Sequence, residues 1–332
     1  MKINPVTTFT GHGLHSERHL AALNSALKHF PIDRIKKATL PSKLTIEYTI
    51  TCSKDEVETT ELPIERLVTI NGFIMTKEAW APIIDLLMDQ WDAKIQGKKL
   101  QILSFDNRGA GGSDAPLARY TTSLMAQDTL ELMSHVGWDS AHFIGGSMGG
   151  MIALELAAMM PERVLSLTLL VTTRGAYLPH PRAWKPFLGT VLGGSMQCVM
   201  ELMYPSTILN NPIEGREGLR VKDVLAKYHA TPQSDNGFPP LYALIAQGMA
   251  CLTHYVSDER LALVAKSGFP IFIIGSKQDI LIPPENSMAL IERLQGDHVQ
   301  TLFFETGGHG AFFQFAEEIA DGLAQTIKRA KL

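Results

Sequence analysis

The sequence predicts an α/β protein with a doubly wound, mostly parallel sheet and an inserted helical segment. Short apolar runs alternate with longer stretches of helical periodicity, which is the pattern of consecutive β-α-β units. Residues 164–171 are dominated by Leu and Val, as expected of a strand buried on both faces. Proline-punctuated helical pieces replace this alternation between residues 174 and 263. We therefore predict a core over 41–173 and 264–332, a helical lid over 174–263, and an N-terminal extension over 1–40.

Composition excludes several classes of protein. The chain has 332 residues, 45% of them hydrophobic, which is ample for a large buried core. The formal charge is −4 and the basic residues are scattered, so neither nucleic acid nor anionic lipid is an expected partner. The three cysteines lie far apart, which predicts reduced thiols in an intracellular compartment. We expect no secretory signal and no transmembrane segment.

The predicted elements follow from periodicity and from helix-ending residues. Residues 44–52 alternate apolar and polar side chains, which predicts a strand with one solvated face that opens the sheet. Before it, residues 19–29 have a helical pattern that Pro31 ends. Further strands are predicted at 67–70, 100–105, 140–144, 164–171, 269–275 and 300–304. Further helices are predicted after Thr76, which can cap its helix, over 121–136, after Ser147, at 196–203 and over 312–328.

Two groups of residues could suggest a metal or a nucleotide. The histidines His12, His15 and His19 have no carboxylate or cysteine at ligand spacing, so we expect surface histidines and no metal site. The glycine-rich segment after residue 105 has neither phosphate-binding pattern, and we predict no cofactor. Instead we expect Asp106 and Arg108 to form an ion pair that organises this loop.

A glycine-flanked serine is the most informative motif in the chain. Residues 145–150 read Gly-Gly-Ser-Met-Gly-Gly, between a short apolar run and a helical run. Gly145 and Gly149 lie two residues on either side of Ser147, where a strained turn brings backbone segments too close for a Cβ atom. This G-x-S-x-G pattern in a strand, turn and helix predicts an exposed nucleophile at Ser147.

Two further polar residues follow later strand ends. Asp279 comes just after the strand at 269–275, and His309 comes just after the strand at 300–304. The carboxyl ends of parallel strands lie at one edge of a sheet, so both residues should be neighbours of Ser147. A serine hydroxyl needs a base to remove its proton, and a carboxylate holds that histidine in the right tautomer. The sequence therefore predicts a catalytic triad.

Other carboxylates are weaker candidates for the acid of this triad. Some proteins of this architecture place the acid after the strand that here ends at Val171. In this chain that position reads Thr172-Thr173-Arg174 and holds no carboxylate. Asp279 is therefore favoured over Glu305 and Asp258.

Hydrolysis through this serine also requires donors for a developing oxyanion. The backbone N–H of Met148 is the first of its helix, and the N–H of Phe73 follows Gly72 in the loop after a central strand. Losing one such donor typically raises the barrier by about 3 kcal/mol. We predict that these two N–H groups form the oxyanion hole.

Together these segments resemble the α/β-hydrolase superfamily, in its lid-bearing, serine-nucleophile, esterase- or lipase-like form. The resemblance spans about residues 45–330 and is carried by Asn71-Gly72-Phe73, Asp106-x-Arg108-Gly109-x-Gly111-x-Ser113, Gly145-x-Ser147-x-Gly149-Gly150, the stretch from Gly275 to Asp279, and Gly308-His309. It implies a triad of Ser147, Asp279 and His309, an oxyanion hole from the backbone of Phe73 and Met148, and structural support from Gly72, Asp106, Arg108, Gly145 and Gly149. Asn71 is a departure, since many relatives have histidine there. A serine nucleophile argues against the epoxide hydrolase and haloalkane dehalogenase branches, which use aspartate.

The predicted activity is hydrolysis of an ester or thioester of an apolar acid. The acyl group would pass to Ser147 and then to water, with His309 as the base. The apolar lid favours a small-molecule apolar acyl substrate. Two alternatives stay open. The motif around Ser147 is similar to that of homoserine-type acyltransferases, which pass the acyl group to an alcohol. The second alternative is a binding protein that has kept the fold but no longer turns over a substrate.

The C-terminal tripeptide predicts a location. Ala330-Lys331-Leu332 resembles the Ser-Lys-Leu signal, with Lys328 and Arg329 just upstream. We therefore predict recognition by a peroxisomal import receptor and a peroxisomal location, with the cytoplasm as the alternative.

Overall fold

The computed structural model describes residues 6–53, 61–191, 195–231 and 236–330. Its strands are β1 (Thr8–Phe9), β2 (Lys36–Thr39), β3 (Thr45–Cys52), β4 (Ile64–Ile70), β5 (Lys99–Phe105), β6 (Ala141–Gly146), β7 (Val164–Leu170), β8 (Ile271–Ser276) and β9 (Val299–Phe304). Its helices are α1 (Glu17–Ala22), α2 (Ala26–His29), α3 (Ala81–Gln90), α4 (Ala93–Gln96), α5 (Thr122–His135), α6 (Met148–Met159), α7 (Trp184–Val191), α8 (Met196–Met203), α9 (Ser206–Leu209), α10 (Val221–Ala230), α11 (Leu241–Leu252), α12 (Asp258–Lys266), α13 (Glu285–Arg293), α14 (Ala311–Gln314) and α15 (Ala316–Arg329).

The nine strands within these ranges form one sheet in the order β1-β9-β8-β7-β6-β4-β5-β3-β2. In this order, each pair of neighbouring strands from β1 at the edge to β5 is parallel. Strand β3 runs antiparallel to β5, and β2 runs antiparallel to β3. Helices cover both faces of the sheet, as two adjacent residues of β6 show. Phe143 is buried in an apolar cluster with residues of α5 and α6, whereas Ile144 is buried in another with residues of α3 and α15. The predicted doubly wound, mostly parallel sheet is therefore confirmed.

The segment before the core is more closely integrated than a simple extension. Strand β1 pairs with β9 at one edge of the sheet, and β2 pairs with β3 at the other. The prediction that residues 44–52 open the sheet is therefore wrong, because two short strands precede them. Leu14 and Phe30 are buried in the apolar cluster that also holds residues of α3 and α15. Only the backbone pairing reveals these strands, since two- and four-residue strands carry little periodicity.

The predicted helix over residues 19–29 is two short helices, α1 and α2. They are separated by residues 23–25, where the Ser25 hydroxyl donates a hydrogen bond of 2.7 Å to the carbonyl of Ala22. Such local side-chain bonds compete with the helical ladder. The predicted helix over 312–328 is likewise divided, because Phe315 leaves helical geometry and stacks on Phe304 at 3.9 Å between ring centroids.

His19 differs from its prediction as a surface residue. Its side chain is fully buried, and its Nε2 lies 2.8 Å from the carbonyl oxygen of Phe313. Burial lowers the pKa of His19 to about 4, so the ring is neutral over most of the accessible pH range. His12 and His15 are exposed, as predicted. In the described parts of the chain, no three His, Cys, Asp or Glu side chains converge as metal ligands would.

The segment predicted as a lid holds α7 to α11 and the start of α12. Helix α12 crosses the predicted boundary at residue 263, and its Leu261 and Val264 are buried in the cluster that contains α6. The domain division stays a prediction, and α12 packs as part of the core layer.

Two further features bear on location. Among the described residues, none of the helices combines the length and the apolar character needed to cross a membrane. Helix α15 ends at Arg329, and of the C-terminal tripeptide only Ala330 is described, whereas Lys331 and Leu332 lie outside the described residues. The peroxisomal location stays a prediction.

Candidate active site

Ser147 stands in the turn between β6 and α6. Its backbone has φ 54° and ψ −122°, a conformation that L-residues adopt only when the surrounding structure enforces it. Its side chain does not cap α6, so the hydroxyl is available for other contacts. A Cβ atom on Gly145 would lie 2.2 Å from the carbonyl oxygen of Gly149, and one on Gly149 would lie 2.0 Å from that of Ile70. The two glycines therefore allow the turn to close.

Gly149→Ala is expected to lower the free energy of unfolding by about 1–3 kcal/mol, because the new methyl group overlaps backbone that cannot move independently of β4. Gly248→Ala in α11 is the matched control, since its Cβ would meet no atom closer than 3.8 Å. Chemical denaturation of both variants measures the difference. Equal stabilities would contradict the close approach at Gly149.

The structure brings Ser147, His309 and Asp279 together. His309 Nε2 lies 3.0 Å from Ser147 Oγ, and His309 Nδ1 lies 2.8 Å from Asp279 Oδ2. Asp279 Oδ1 accepts the backbone N–H groups of Leu281 and Ile282 at 2.8 and 2.9 Å. Because Oδ2 is an acceptor, Nδ1 carries the proton and Nε2 faces the serine as an acceptor.

The alternative carboxylates have other partners. Glu305 Oε1 is 2.6 Å from Lys277 Nζ at the surface. Asp258 lies in the first turn of α12, where it pairs with Arg293 at 2.6 Å and with Arg174. Of the three carboxylates considered from sequence, Asp279 is the one that contacts His309.

The loop after β4 runs beside Ser147. A Cβ atom on Gly72 would lie 3.6 Å from the Cβ of Ser147, and Phe73 lines the same cavity as the serine. Ile74 has φ 53°, which is strained for a β-branched residue. Within the described residues, the backbone N–H groups of Phe73 and Met148 have no hydrogen-bond acceptor. Both are therefore available to a ligand.

Side chains from distant segments hold this loop. Gln247 of α11 is fully buried, and its Oε1 accepts the N–H of Ile74 at 2.8 Å while its Nε2 donates to the carbonyl of Arg108 at 2.8 Å. Sequence reasoning missed Gln247, although it is the only amide or charged residue between Leu241 and Leu252. Asn71 donates at 2.7 Å to the carbonyl of Phe105, which ties the loop to the end of β5.

Asp106 and Arg108 do not pair with each other, contrary to the prediction. Arg108 Nε and Nη2 both lie 2.6 Å from the Asp128 carboxylate of α5. Asp106 accepts the N–H of Lys77 at 2.7 Å and the N–H of Gly112 at 3.0 Å. Each side chain finds a closer partner in a separate element, and the role of both as structural supports stays a prediction.

Lys77 lies in the single turn of 3₁₀ helix, Lys77–Trp80, that follows the loop. Its ammonium group is fully buried, with Glu47 at 2.7 Å, Glu78 at 2.9 Å and Asp106 at 3.0 Å. Burial alone would lower the pKa of Lys77, but these carboxylates raise it above its ordinary value. Burial, reinforced by Glu78 and opposed by Lys77, raises the pKa of Asp106 to about 6. Lys77 therefore contacts three carboxylates, and Glu47 also has the exposed Lys37 at 3.7 Å.

An apolar cavity of about 160 Å³ opens onto Ser147. The apolar side chains that line it include Phe73, Ala183, Trp184, Phe187, Leu252 and Ile282. Besides Ser147, the lining residues with a polar side-chain group are Tyr177, Cys251 and, through its indole N–H, Trp184. Burial raises the pKa of Cys251 to about 12, so the thiol stays protonated near neutral pH. The walls come from α7, α11, the segment between β7 and α7, and the loops after β4 and β8.

Comparison with known proteins agrees with this architecture. Residues 65–198 match the family described as alpha/beta hydrolase fold. A protein from Caulobacter segnis, provisionally named carbamate hydrolase RutD, is 26% identical over 258 residues, which cover 76% of this chain and 86% of that protein. An enol-lactonase from Burkholderia xenovorans superposes with a TM-score of 0.66 at 19% identity, covering 89% of this chain and 100% of that one. An esterase from Thermogutta terrifontis gives 0.65 at 17% identity, covering 90% and 99%.

The chain has the α/β-hydrolase fold. The structural similarities are all below 25% identity and support the fold alone. The relative from Caulobacter segnis supports hydrolysis as the general class of reaction. Together they support a hydrolase of this fold.

Proposed function

We propose that this protein is a serine hydrolase that cleaves a carboxylic ester or thioester of an apolar acid. The observation that carries the proposal is the hydrogen-bonded series from Asp279 through His309 to Ser147, which ends in an apolar cavity. The strained backbone of Ser147 and the acceptor face of His309 supply the two requirements of an activated nucleophile.

The geometry supports a two-step reaction. Ser147 Oγ attacks the substrate carbonyl carbon while His309 Nε2 takes the hydroxyl proton, and Asp279 stabilises the resulting imidazolium. The oxyanion lies against the N–H groups of Phe73 and Met148. Collapse expels the alcohol or thiol, which receives the proton from His309. Water then attacks the acyl-enzyme by the same route and releases the acid and free Ser147.

The position of the inserted helices is evidence that part of the substrate is apolar. Helices α7 and α11 both contribute to the cavity, and Phe187 of α7 lies 6.2 Å from Phe73 between ring centroids. We assign residues 174–263 the role of a lid, in which these helices cover the reacting serine. The lid would enclose the apolar part of the acyl group and select it by size.

A carbamate is the second candidate substrate, because the curated relative from Caulobacter segnis carries that name. The same triad would attack a carbamate carbonyl. The apolar lining favours the apolar ester or thioester, since a small polar carbamate would leave most of the cavity without complementary contacts. Parallel assays of a carbamate and an aliphatic ester decide between them. Product analysis with a competing alcohol separates hydrolysis from acyl transfer.

We expect a fluorophosphonate probe to label Ser147 in the folded protein and to leave the Ser147→Ala variant unlabelled. The reason is that His309 activates this hydroxyl at 3.0 Å beside an open cavity, whereas Ser166, which lies 2.8 Å from His142 Nδ1, is fully buried. Intact-protein mass spectrometry followed by peptide mapping identifies the site. Absence of labelling in folded protein would favour a binding protein without turnover.

A further inference from the structure

Neither the backbone conformation nor the packing of the protein explains why residue 248 is a glycine. Gly248 lies inside α11, where glycine weakens a helix relative to alanine. Its backbone is not left-handed, and a Cβ atom there would meet only Cε2 of Phe73, at 3.8 Å. Neither conformation nor packing therefore requires glycine at this position.

Other helix glycines of the described chain differ from Gly248 in this respect. A Cβ on Gly150 of α6 would lie 2.6 Å from Thr172, and one on Gly322 of α15 would lie 2.4 Å from Phe272. A Cβ on Gly189 of α7 would lie 2.5 Å from the Cys198 sulfur. Those glycines permit close packing between elements. Gly248 instead borders the cavity that opens onto Ser147.

The cavity has the size of one small apolar group. Its volume of about 160 Å³ is close to that of an engineered apolar cavity of about 150 Å³ that binds benzene. The rings of Phe73 and Phe187 form an apolar wall beside Gly248, with their planes inclined by 31°. A single ring, or a chain of about six carbons, fills such a space.

We propose that Gly248 determines the size of the acyl group and that the substrates are esters or thioesters whose acyl part is one apolar ring or about six carbons. This inference rests on the proposed function of Ser147. The acyl carbonyl lies between Ser147 and the N–H groups of Phe73 and Met148, and the rest of the acyl group extends past Gly248 towards Phe187.

The test is a series of p-nitrophenyl esters with acyl chains from two to twelve carbons, together with the benzoate ester. We expect the wild-type kcat/KM to be greatest near six carbons. Gly248→Leu places four carbons in the cavity and should lower kcat/KM for the hexanoate about 10- to 100-fold while affecting the acetate much less. Gly248→Ala should shift the maximum less and keep or raise the unfolding midpoint, since alanine favours the helix.

Ile245→Leu is the matched control, because Ile245 is 57% exposed on the outer side of the same helix. It should leave the chain-length profile unchanged. A wild-type optimum at ten or twelve carbons, or a Gly248→Leu profile that matches the wild type, would overturn the proposal.

A binding measurement keeps this inference separate from the proposed function. Calorimetric titration of Ser147→Ala with hexanoate and acetate needs no turnover. We expect hexanoate to bind more tightly than acetate, and the added Gly248→Leu change to abolish that preference. If the probe fails to label Ser147 but hexanoate binding still depends on residue 248, the hydrolase is refuted and the acyl pocket stands. If Ser147 is labelled and neither binding nor kinetics depends on residue 248, the hydrolase stands and the inference is wrong.

Discussion

Asp279→Asn is expected to lower kcat about ten-thousand-fold without unfolding the protein. The asparagine oxygen can keep the two N–H bonds now made by Asp279 Oδ1, from Leu281 and Ile282. The amide nitrogen then faces His309 Nδ1 and donates to it, so the histidine proton moves to Nε2. That tautomer cannot accept a proton from Ser147, and the cation is no longer stabilised by a carboxylate.

Glu305→Gln provides the matched control for this prediction. Glu305 also follows a strand end near the site, but it pairs with Lys277 at the surface. We expect its variant to keep the wild-type kcat. Rates with a p-nitrophenyl ester, together with unfolding midpoints of both variants, complete the comparison. A small loss of kcat in Asp279→Asn, or a large loss of kcat in Glu305→Gln, would contradict the assignment of Asp279 as the acid of the triad.

The fold could be predicted from sequence because its signals are local. Apolar runs mark β6, β7 and β8, and a glycine pattern around Ser147 follows from backbone contacts that exclude a Cβ atom. The meeting of Asp279 and His309 with Ser147 follows from a rule of topology, since parallel strands end at one edge of the sheet. The contacts among these three residues agree with that expectation, and their catalytic roles stay a proposal.

Charged partners could not be predicted in the same way. Asp106 and Arg108 are two residues apart, yet their partners Lys77 and Asp128 come from a different turn and a different helix. No local pattern encodes which of several nearby opposite charges is closest in space. The proposed role of Gly248 could not be predicted from sequence either, because only a structure shows that no packed atoms lie close beside it.

Lys77→Met is expected to reduce the free energy of unfolding by about 3–5 kcal/mol at pH 7, because it removes the buried cation from three buried carboxylates, of which Glu47 keeps the exposed Lys37 at 3.7 Å. Methionine preserves most of the side-chain volume, so the loss reports charge more than packing. The partners that lose the ammonium group are Glu47, Glu78 and Asp106. Lys277→Met is the control, since its pair with Glu305 is partly exposed and should contribute about 0–1 kcal/mol.

The cost of Lys77→Met should diminish as the pH falls from 7 to 5. The pKa of Asp106 is raised to about 6 in the folded protein, against an ordinary value of 3.8, and Lys77 acts to lower it. Over this range Asp106 is more fully protonated in the folded variant than in the folded wild type, because the variant lacks the cation that lowers its pKa, whereas the unfolded chain binds almost no proton there. Because the folded state binds more protons, its stability rises as the pH falls. Urea denaturation at pH 7 and pH 5 measures the change.

A double-mutant cycle then isolates the role of Asp106. Adding Asp106→Asn removes one uncompensated charge, so Lys77→Met should destabilise that background less than the wild type at pH 7. The two backgrounds should converge at pH 5, where the Asp106 carboxyl of the Lys77→Met variant is already protonated. A cost for Lys77→Met that is the same in both backgrounds and at both pH values would mean that lost packing, not the buried charge, explains it. In that case the carboxylates around Lys77 would have to be neutralised by other means.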